Sequence, residues 1–458
     1  QRVLSVLAQG KDATLRERAA GIIESSARGP RAPELPITWR NTWNVVDDAR
    51  QSLRPEEADR LVTRLAPFIA SAGDDPAFGL RFAWLKALVA LGNGQTAATV
   101  RLADEIAGRL DRIDAGAPTA ALRELRNQVP ELRGHLALLR ARTFLGQDAA
   151  KGREEFRKLR ESQPDSPAAA ASFLAEGRFL AGREEHAEAQ ALFTKLGKDF
   201  AGKPGLADFA ALGLYEAAEQ AVQQSPAEGE AKLKEAVELL ELFAEQHGRH
   251  PLIVRVTLRR AELLRALGLF DNSYKILDDL IRAHADDPAR PQAEMARADS
   301  LLGRSELNRD RVGQLDRQRI GLAVAAYQRV CDAYAKDPDT AAEARYKLAL
   351  SLLERAGTET GVDAAASLRE ARANLVGLLG PLRAGTAAAP EFTRGGRVWL
   401  ARAILLLGQV WEKEGNVAEA IAAYQLIPEL NRGLKPGESR LPGQAAAESK
   451  LATLRRPK

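Results

Sequence analysis

Residues 405–430, LLLGQVWEKEGNVAEAIAAYQLIPEL, place apolar positions three and four residues apart, break at Glu414-Gly415-Asn416, and resume the same period. That pattern predicts two amphipathic helices joined by a tight turn. The same pattern recurs. Gly408, Trp411, Gly415, Ala420, Tyr424 and Ile427 advance in steps of 3, 4, 5, 4 and 3, and identical steps run through Ala261, Leu264, Gly268, Ser273, Leu277 and Leu280. They run again through Gly177, Leu180, Glu184, Ala189, Phe193 and Leu196. A hairpin that repeats at fixed register predicts an all-α chain of stacked units.

Proline supports the reading. It falls eight residues after the last apolar position of the second helix at Pro76, Pro167, Pro204, Pro251, Pro288 and Pro338. A residue without an N–H is tolerated at a joint or in a first helical turn, and not in a helix interior. Ser225 before Pro226 with Glu228, and Thr340 with Glu343, have the spacing of reciprocal helix caps and are read as helix starts.

Small, large, turn, small, aromatic, apolar, then proline resembles the tetratricopeptide repeat. The resemblance implies an α-solenoid of stacked helix-turn-helix (TPR-like) repeats in a superhelical array. It places the small residues Gly152, Ala189, Ala236, Ser273, Ala323, Ala371 and Ala420 at close helix crossings. Their separations are 37, 47, 37, 50, 48 and 49 residues, longer than the family's roughly 34. Extra turns or longer connections, such as 303–321 and 355–365, account for the excess. Residues 325–354 are similar to the variant found in bacterial envelope assembly factors. Four regions are expected: an N-terminal helix with a Pro-rich extended segment (1–54, with Pro30, Pro33 and Pro36), divergent helical repeats (55–145), TPR-like repeats (146–430), and a C-terminal cap with a basic tail (431–458).

Composition narrows the function. Charged residues make up 28% of 458, with 66 basic against 62 acidic, so the net charge of +4 is a small surplus and not a basic block. Nucleic acid is therefore not implied. The single cysteine, Cys331, excludes an internal disulfide framework and a cysteine zinc cluster. No apolar run approaches the roughly 20 residues of a membrane span. The chain opens on Gln1, and its single methionine is Met295. A cleaved leader would set it in the periplasm or cell envelope, and an omitted segment would leave the cytoplasm open.

No phosphate loop, nucleophile elbow or His-Glu-x-x-His is present, and no catalytic, cofactor-binding or metal-binding residue is assigned. The Gly92-Asn93-Gly94 stretch reads as a helix turn, and His247 with His250 as an exposed turn, not a metal pair. What remains is surface. First helices line the groove in this family, so the resemblance points to Arg178, to Arg255, Arg259, Glu262 and Arg265, and to Arg402, Gln409, Glu412 and Lys413 as partner contacts. Arginines there suit an acidic or C-terminal carboxylate peptide. The favoured function is a non-catalytic scaffold for protein–protein interaction, within a multi-protein bacterial envelope complex. Two alternatives stand beside it: an all-α glycan-processing enzyme, marked by converging carboxylates in a deep pocket, and a helical-repeat nucleic-acid binder, marked by a continuous positive stripe.

Overall fold

A computed structural model describes residues 13–28, 35–52, 54–70, 76–115, 120–312, 317–383, 392–432 and 439–455. Among the described residues every regular element is helical, so the chain is all-α. It divides into two compact units, Gln1–Gln220 and Ala221–Lys458.

In the first unit α1 (Ala13–Arg28) packs on a hairpin of α2 (Leu35–Gln51) and α3 (Pro55–Ala70). Three more hairpins follow: α4 (Pro76–Gly92) with α5 (Thr96–Ala115), α6 (Ala120–Leu145) with α7 (Ala149–Ser162), and α8 (Pro167–Gly182) with α9 (His186–Phe200). Then α10 (Ala207–Glu228) begins. Each first helix touches the next first helix, α2 on α4, α4 on α6 and α6 on α8. The sequence of α4 shows why such a stack forms. Its Leu85 and Val89 enter one core with α1 to α3, and its Leu80, Ala83, Ala87 and Ala90 enter another with α5 and α6. A helix apolar on all sides needs a neighbour on both sides, which a single hairpin cannot supply.

The second unit repeats the plan. There α11 (Glu230–Gln246) packs on α12 (Ile253–Ala266), which pairs with α13 (Phe270–Ala283). Then come α14 (Arg290–Val312) with α15 (Arg317–Ala333), α16 (Pro338–Ala356) with α17 (Gly361–Arg383), and α18 (Arg394–Lys413) with α19 (Val417–Tyr424). A short α20 (Leu426–Arg432) leads to α21 (Gln444–Leu454), whose buried Ala447 and Leu451 join the core at the end of this unit. First helices again meet, α12 on α14, α14 on α16 and α16 on α18.

The six-position register holds in space. A Cβ added to Gly177 would stand 2.5 Å from the ring of Phe193, and one on Gly408 2.3 Å from the ring of Tyr424. Ala261 and Leu277 share one core. The turn position is left-handed in all three units: Glu184 at φ 64°, Gly268 at 71° and Gly415 at 76°. The seven small residues of the second helices are all buried. Prolines sit at joints as expected: Pro76, Pro167 and Pro338 open α4, α8 and α16, while Pro204, Pro251 and Pro288 lie in the turns before α10, α12 and α14.

Several local expectations are overturned. Ser225 and Pro226 do not start a helix; they lie in the last turn of α10. Pro226 cannot donate to the Val222 carbonyl, and the Ser225 hydroxyl does so instead at 2.7 Å. The break comes later, at Gly229, in a conformation (φ 69°, ψ −150°) open to glycine. Thr340 and Glu343 do not cap α16. Asp337 does, accepting from the Asp339 N–H with Pro338 in the first turn, and Glu343 pairs with Lys347 at 2.7 Å. The long connections are largely helix: 303–312 extend α14, 317–321 open α15, and only residues 357–360 separate α16 from α17. Pro36 belongs to the first turn of α2 and not to an extended clasp. Pro30, Pro33, residues 313–316 and the basic end 456–458 lie outside the described residues.

Candidate functional site

The register decides where each first helix aims its side chains. One residue past the crossing position is turned about 100° around the helix axis, away from the paired helix. Arg178, Glu262 and Gln409 occupy that place, and all three are exposed. Six residues before the crossing stand Arg255 and Arg402, also exposed.

The partners of these residues differ. Arg178 donates from Nε and Nη2 to Glu216 Oε1 at 2.9 and 2.6 Å. Arg259 pairs with Glu262 at 2.8 Å. Arg265 departs from the groove reading: its Nη1 reaches the Ser273 hydroxyl at 3.3 Å and the Ala296 carbonyl at 3.4 Å, tying α12 to α13 and α14. Ser273 is itself buried, donating to the Ala261 carbonyl and bonded to Ser300 Oγ at 2.9 Å, so Arg265 completes a polar seam inside the stack. Glu412 is likewise engaged, taking the Tyr424 hydroxyl at 2.5 Å and Lys450 Nζ at 2.9 Å. Gln409 and Lys413 remain exposed.

Arg402 lies 4.5 Å from the Trp399 ring, and Lys347 5.4 Å from the same ring. Trp399 also meets Tyr346 at 5.5 Å. Lys347 is held by Asp299 at 2.9 Å, which accepts the Tyr327 hydroxyl at 2.7 Å. Burial beside that carboxylate pushes the Tyr327 phenol well up. The first helices α16 and α18 thus present aromatic and cationic side chains, and Asp299 of α14 supplies the charge that matches Lys347.

The first unit holds an unmatched one. Arg142 on α6 is exposed to solvent, yet the protein hems it closely enough that desolvation, then repulsion from Arg50 and Arg178, holds its guanidinium below the usual arginine range. Arg50 is paired with Asp47 at 2.6 Å and Arg178 with Glu216, while Arg142 has no carboxylate partner among the described residues. Arginines of α2 and α8, each with a carboxylate of its own, thus act on Arg142 of α6.

The six-step template misses Arg142 for a definite reason. Elsewhere the turn closes with an N–H bonded five residues back, Glu185 to Leu180, Leu269 to Leu264 and Asn416 to Trp411. At the α6 turn Asp148 bonds only four back, to Phe144 at 2.7 Å. One residue fewer moves the crossing position to the buried Ala141 and puts Arg142 where Arg178 stands in the next hairpin. A search allowing that slip would find it.

Two clefts are lined by described residues. One of about 500 Å³ is lined by Gln328, Cys331, Asp332, Arg345 and Asn374, with alanines and Gly377. The other, of about 460 Å³, is lined by Trp39, Arg40, Trp43 and Arg81. Two converging carboxylates line neither. Among the described residues no group of three or more His, Cys, Asp or Glu could hold a metal ion. His247 and His250 instead flank Phe243 edge-on, at 5.6 and 5.5 Å. Asn93 in the Gly92–Gly94 turn donates to the Pro55 carbonyl at 3.0 Å. No described helix is long and apolar enough to cross a membrane.

No family model matches the chain, and no curated protein does. Solved structures do. A Podosopora anserina structure of nearly identical TPR-like repeats is 17% identical over 45% of this chain and 95% of its own, with a TM-score of 0.33. A tetratricopeptide repeat protein from Parabacteroides merdae is 11% identical over 71% and 100%, at 0.35. Yeast Tom70 is 12% identical over 96% and 97%, at 0.33.

Proposed function

We propose that the chain is a non-catalytic, TPR-like scaffold that binds an acidic segment of a protein partner on the first-helix face of its first unit. Arg142 carries the reading. An exposed, partly desolvated cation repelled by two further arginines lowers its own free energy by gaining an anion, and a planar guanidinium pairs best with a carboxylate. The overall balance of 66 basic and 62 acidic residues favours a local acidic patch on a protein over the long contact that a polyanion requires. Place in a larger bacterial envelope assembly belongs to the same proposal, supported by the likeness of residues 325–354 to envelope factors. Within it Arg178 is part of the binding face, and Arg255, Arg259, Arg402, Gln409 and Lys413 form a lesser surface on the second unit.

The test is binding of a fluorescent Glu-rich peptide to the full chain. Arg142→Glu should weaken it at least tenfold and flatten its salt dependence, and Arg142→Lys should restore part of it. Equal binding by wild type and Arg142→Glu, or tighter binding of a single-stranded oligonucleotide than of the peptide, would refute the proposal. Recovery of partners from native cells with wild type and Arg142→Glu then tests membership of a complex.

A further inference from the structure

The cleft of about 500 Å³ in the second unit lies between two successive second helices, α15 and α17. Both pack on α16, and they make little direct contact with each other. Gln328, Cys331 and Asp332 stand at i, i+3 and i+4, so one face of α15 forms the first wall. Asn374 and Gly377 of α17 form the facing wall, and Arg345 of α16 completes the lining. Small residues keep the space open, since the rest of the lining is alanine and a Cβ built on Gly377 would meet nothing within 4 Å. The volume is within the range of small-ligand pockets.

The charges that line the cleft are opposite and unpaired. Arg345 is half-buried and Asp332 is exposed, and neither forms an ion pair with the other or with any further charge among the described residues. Asp332 does accept from Gln328 Nε2 at 2.8 Å, which leaves the Gln328 amide oxygen as an acceptor. Asn374 Nδ2 donates to the Glu370 carbonyl at 3.0 Å, which likewise leaves Asn374 Oδ1 to accept. One guanidinium thus shares the cleft with a carboxylate and two amide oxygens.

This set of groups rejects most ligand classes. A phosphate would gain Arg345 but be repelled by Asp332. A metal ion would find a single carboxylate, and no group of three or more His, Cys, Asp or Glu gathers among the described residues. A sugar or a nucleobase gains most from an aromatic face, and none of the lining residues is aromatic. A small zwitterion satisfies both charges at once. Its ammonium brings three donors to Asp332 and the two amide oxygens, and its carboxylate matches the planar guanidinium.

We infer that this cleft binds a free α-amino acid, with its carboxylate on Arg345 and its ammonium on Asp332. Gln328 and Asn374 position the ammonium, and the space beside Gly377 takes the ligand's side chain. The inference is separate from the acidic-segment reading, because Arg142 belongs to the other unit.

Thermal denaturation of the full chain with each of the common free L-amino acids in millimolar excess tests it. At least one should raise the melting temperature, and calorimetric titration with that amino acid should give a Kd below about 1 mM. Its N-acetyl and C-amide forms each lack one charge and should bind at least about tenfold more weakly. Asp332→Asn should remove the discrimination against the N-acetyl form, and Arg345→Gln that against the amide. Gly377→Leu directs a side chain into open space and gains helix propensity, so it should fold as wild type does and lose binding. No shift with any amino acid, a capped form that binds as tightly as the free one, or binding retained in Gly377→Leu would each overturn the inference. Should Gly377→Leu fail to fold, Asp332→Asn decides, because it changes an exposed side chain; full discrimination against the N-acetyl form in that variant also overturns the site.

Discussion

The turn of the hairpin offers a test whose two arms have opposite signs. Glu184, Gly268 and Gly415 occupy equivalent positions at φ 64°, 71° and 76°, and Glu184 is the only non-glycine residue with positive φ among the described residues. A left-handed conformation costs a residue with a Cβ about 1–2 kcal/mol. Replacing it with glycine removes that cost but adds back unfolded-state freedom worth about 0.4–1 kcal/mol. The Glu184 side chain is exposed, so little else changes. Glu184→Gly should therefore stabilise its hairpin by about 0.5–1 kcal/mol. Nothing lies within 4 Å of a Cβ built on Gly268 or Gly415, so Gly268→Ala and Gly415→Ala meet no neighbour and should lose about 1 kcal/mol through the backbone alone. Stacked hairpins can open locally, which makes native-state hydrogen exchange by mass spectrometry the right assay. Opening of peptides from α8 and α9 should slow about threefold in Glu184→Gly, and opening of those from α12 and α13 or α18 and α19 should quicken about fivefold in the alanine variants. Faster exchange in Glu184→Gly, or slower exchange in either alanine variant, would refute the assignment of one turn geometry to all three units.

Gly408→Ala puts a methyl group 2.3 Å from the Tyr424 ring; overpacking of about 1–3 kcal/mol should outweigh the roughly 1 kcal/mol of helix propensity gained, and a raised melting temperature would argue against the close crossing. Buried Arg16 is held by Glu57 at 2.7 Å and Asp48 at 2.9 Å, so Glu57→Gln should cost α1 to α3 about 3 kcal/mol, read as faster exchange there. The Glu57 carboxyl is held below its ordinary value, first by hydrogen bonds from Arg16. Its contribution is thus complete above the unfolded carboxyl's range and is lost as pH falls through the depressed folded value. Wild type should destabilise on acidification more steeply than Glu57→Gln, and parallel acid profiles would contradict this. Burial pushes the Cys331 thiol up to about 11, so iodoacetamide at pH 8 should label it slowly until denaturant is added, and labelling at a free thiol's rate would show an accessible site.

Much of the architecture was legible because it is periodic. A crossing residue such as Gly177 must be small where Phe193 packs on it, and spacing along two helices fixes which pairs meet, so the six-step template found contacts without coordinates. Prolines were legible for a local reason, the missing N–H. Expectations failed where two local signals compete. Ser225-Pro226-Ala227-Glu228 has the letters of a cap, yet the serine hydroxyl replaces a lost backbone donor at a helix end, and Gly229 makes the break. Charged stretches such as 303–321 read as connections because exposed helix and loop share a composition, whereas Gly303 and Ser305 in fact pack within α14.

The candidate site was legible only in part. Arg178 follows from the register, but Arg142 escaped because its turn is one residue shorter, and no local pattern announces that Arg50, from a helix more than ninety residues earlier, adds to its field. Nor does residue type reveal that Arg265 turns inward to Ser273 while Arg402 lies on Trp399. Repetition, helix handedness and the need to hide apolar faces against a neighbour are properties of the chain read in order, and they determined the stack. Which cations face one another, and which lack an acid, depends on sums over residues distant in sequence, because Coulomb fields and desolvation act through space. Only the packed helices could decide that.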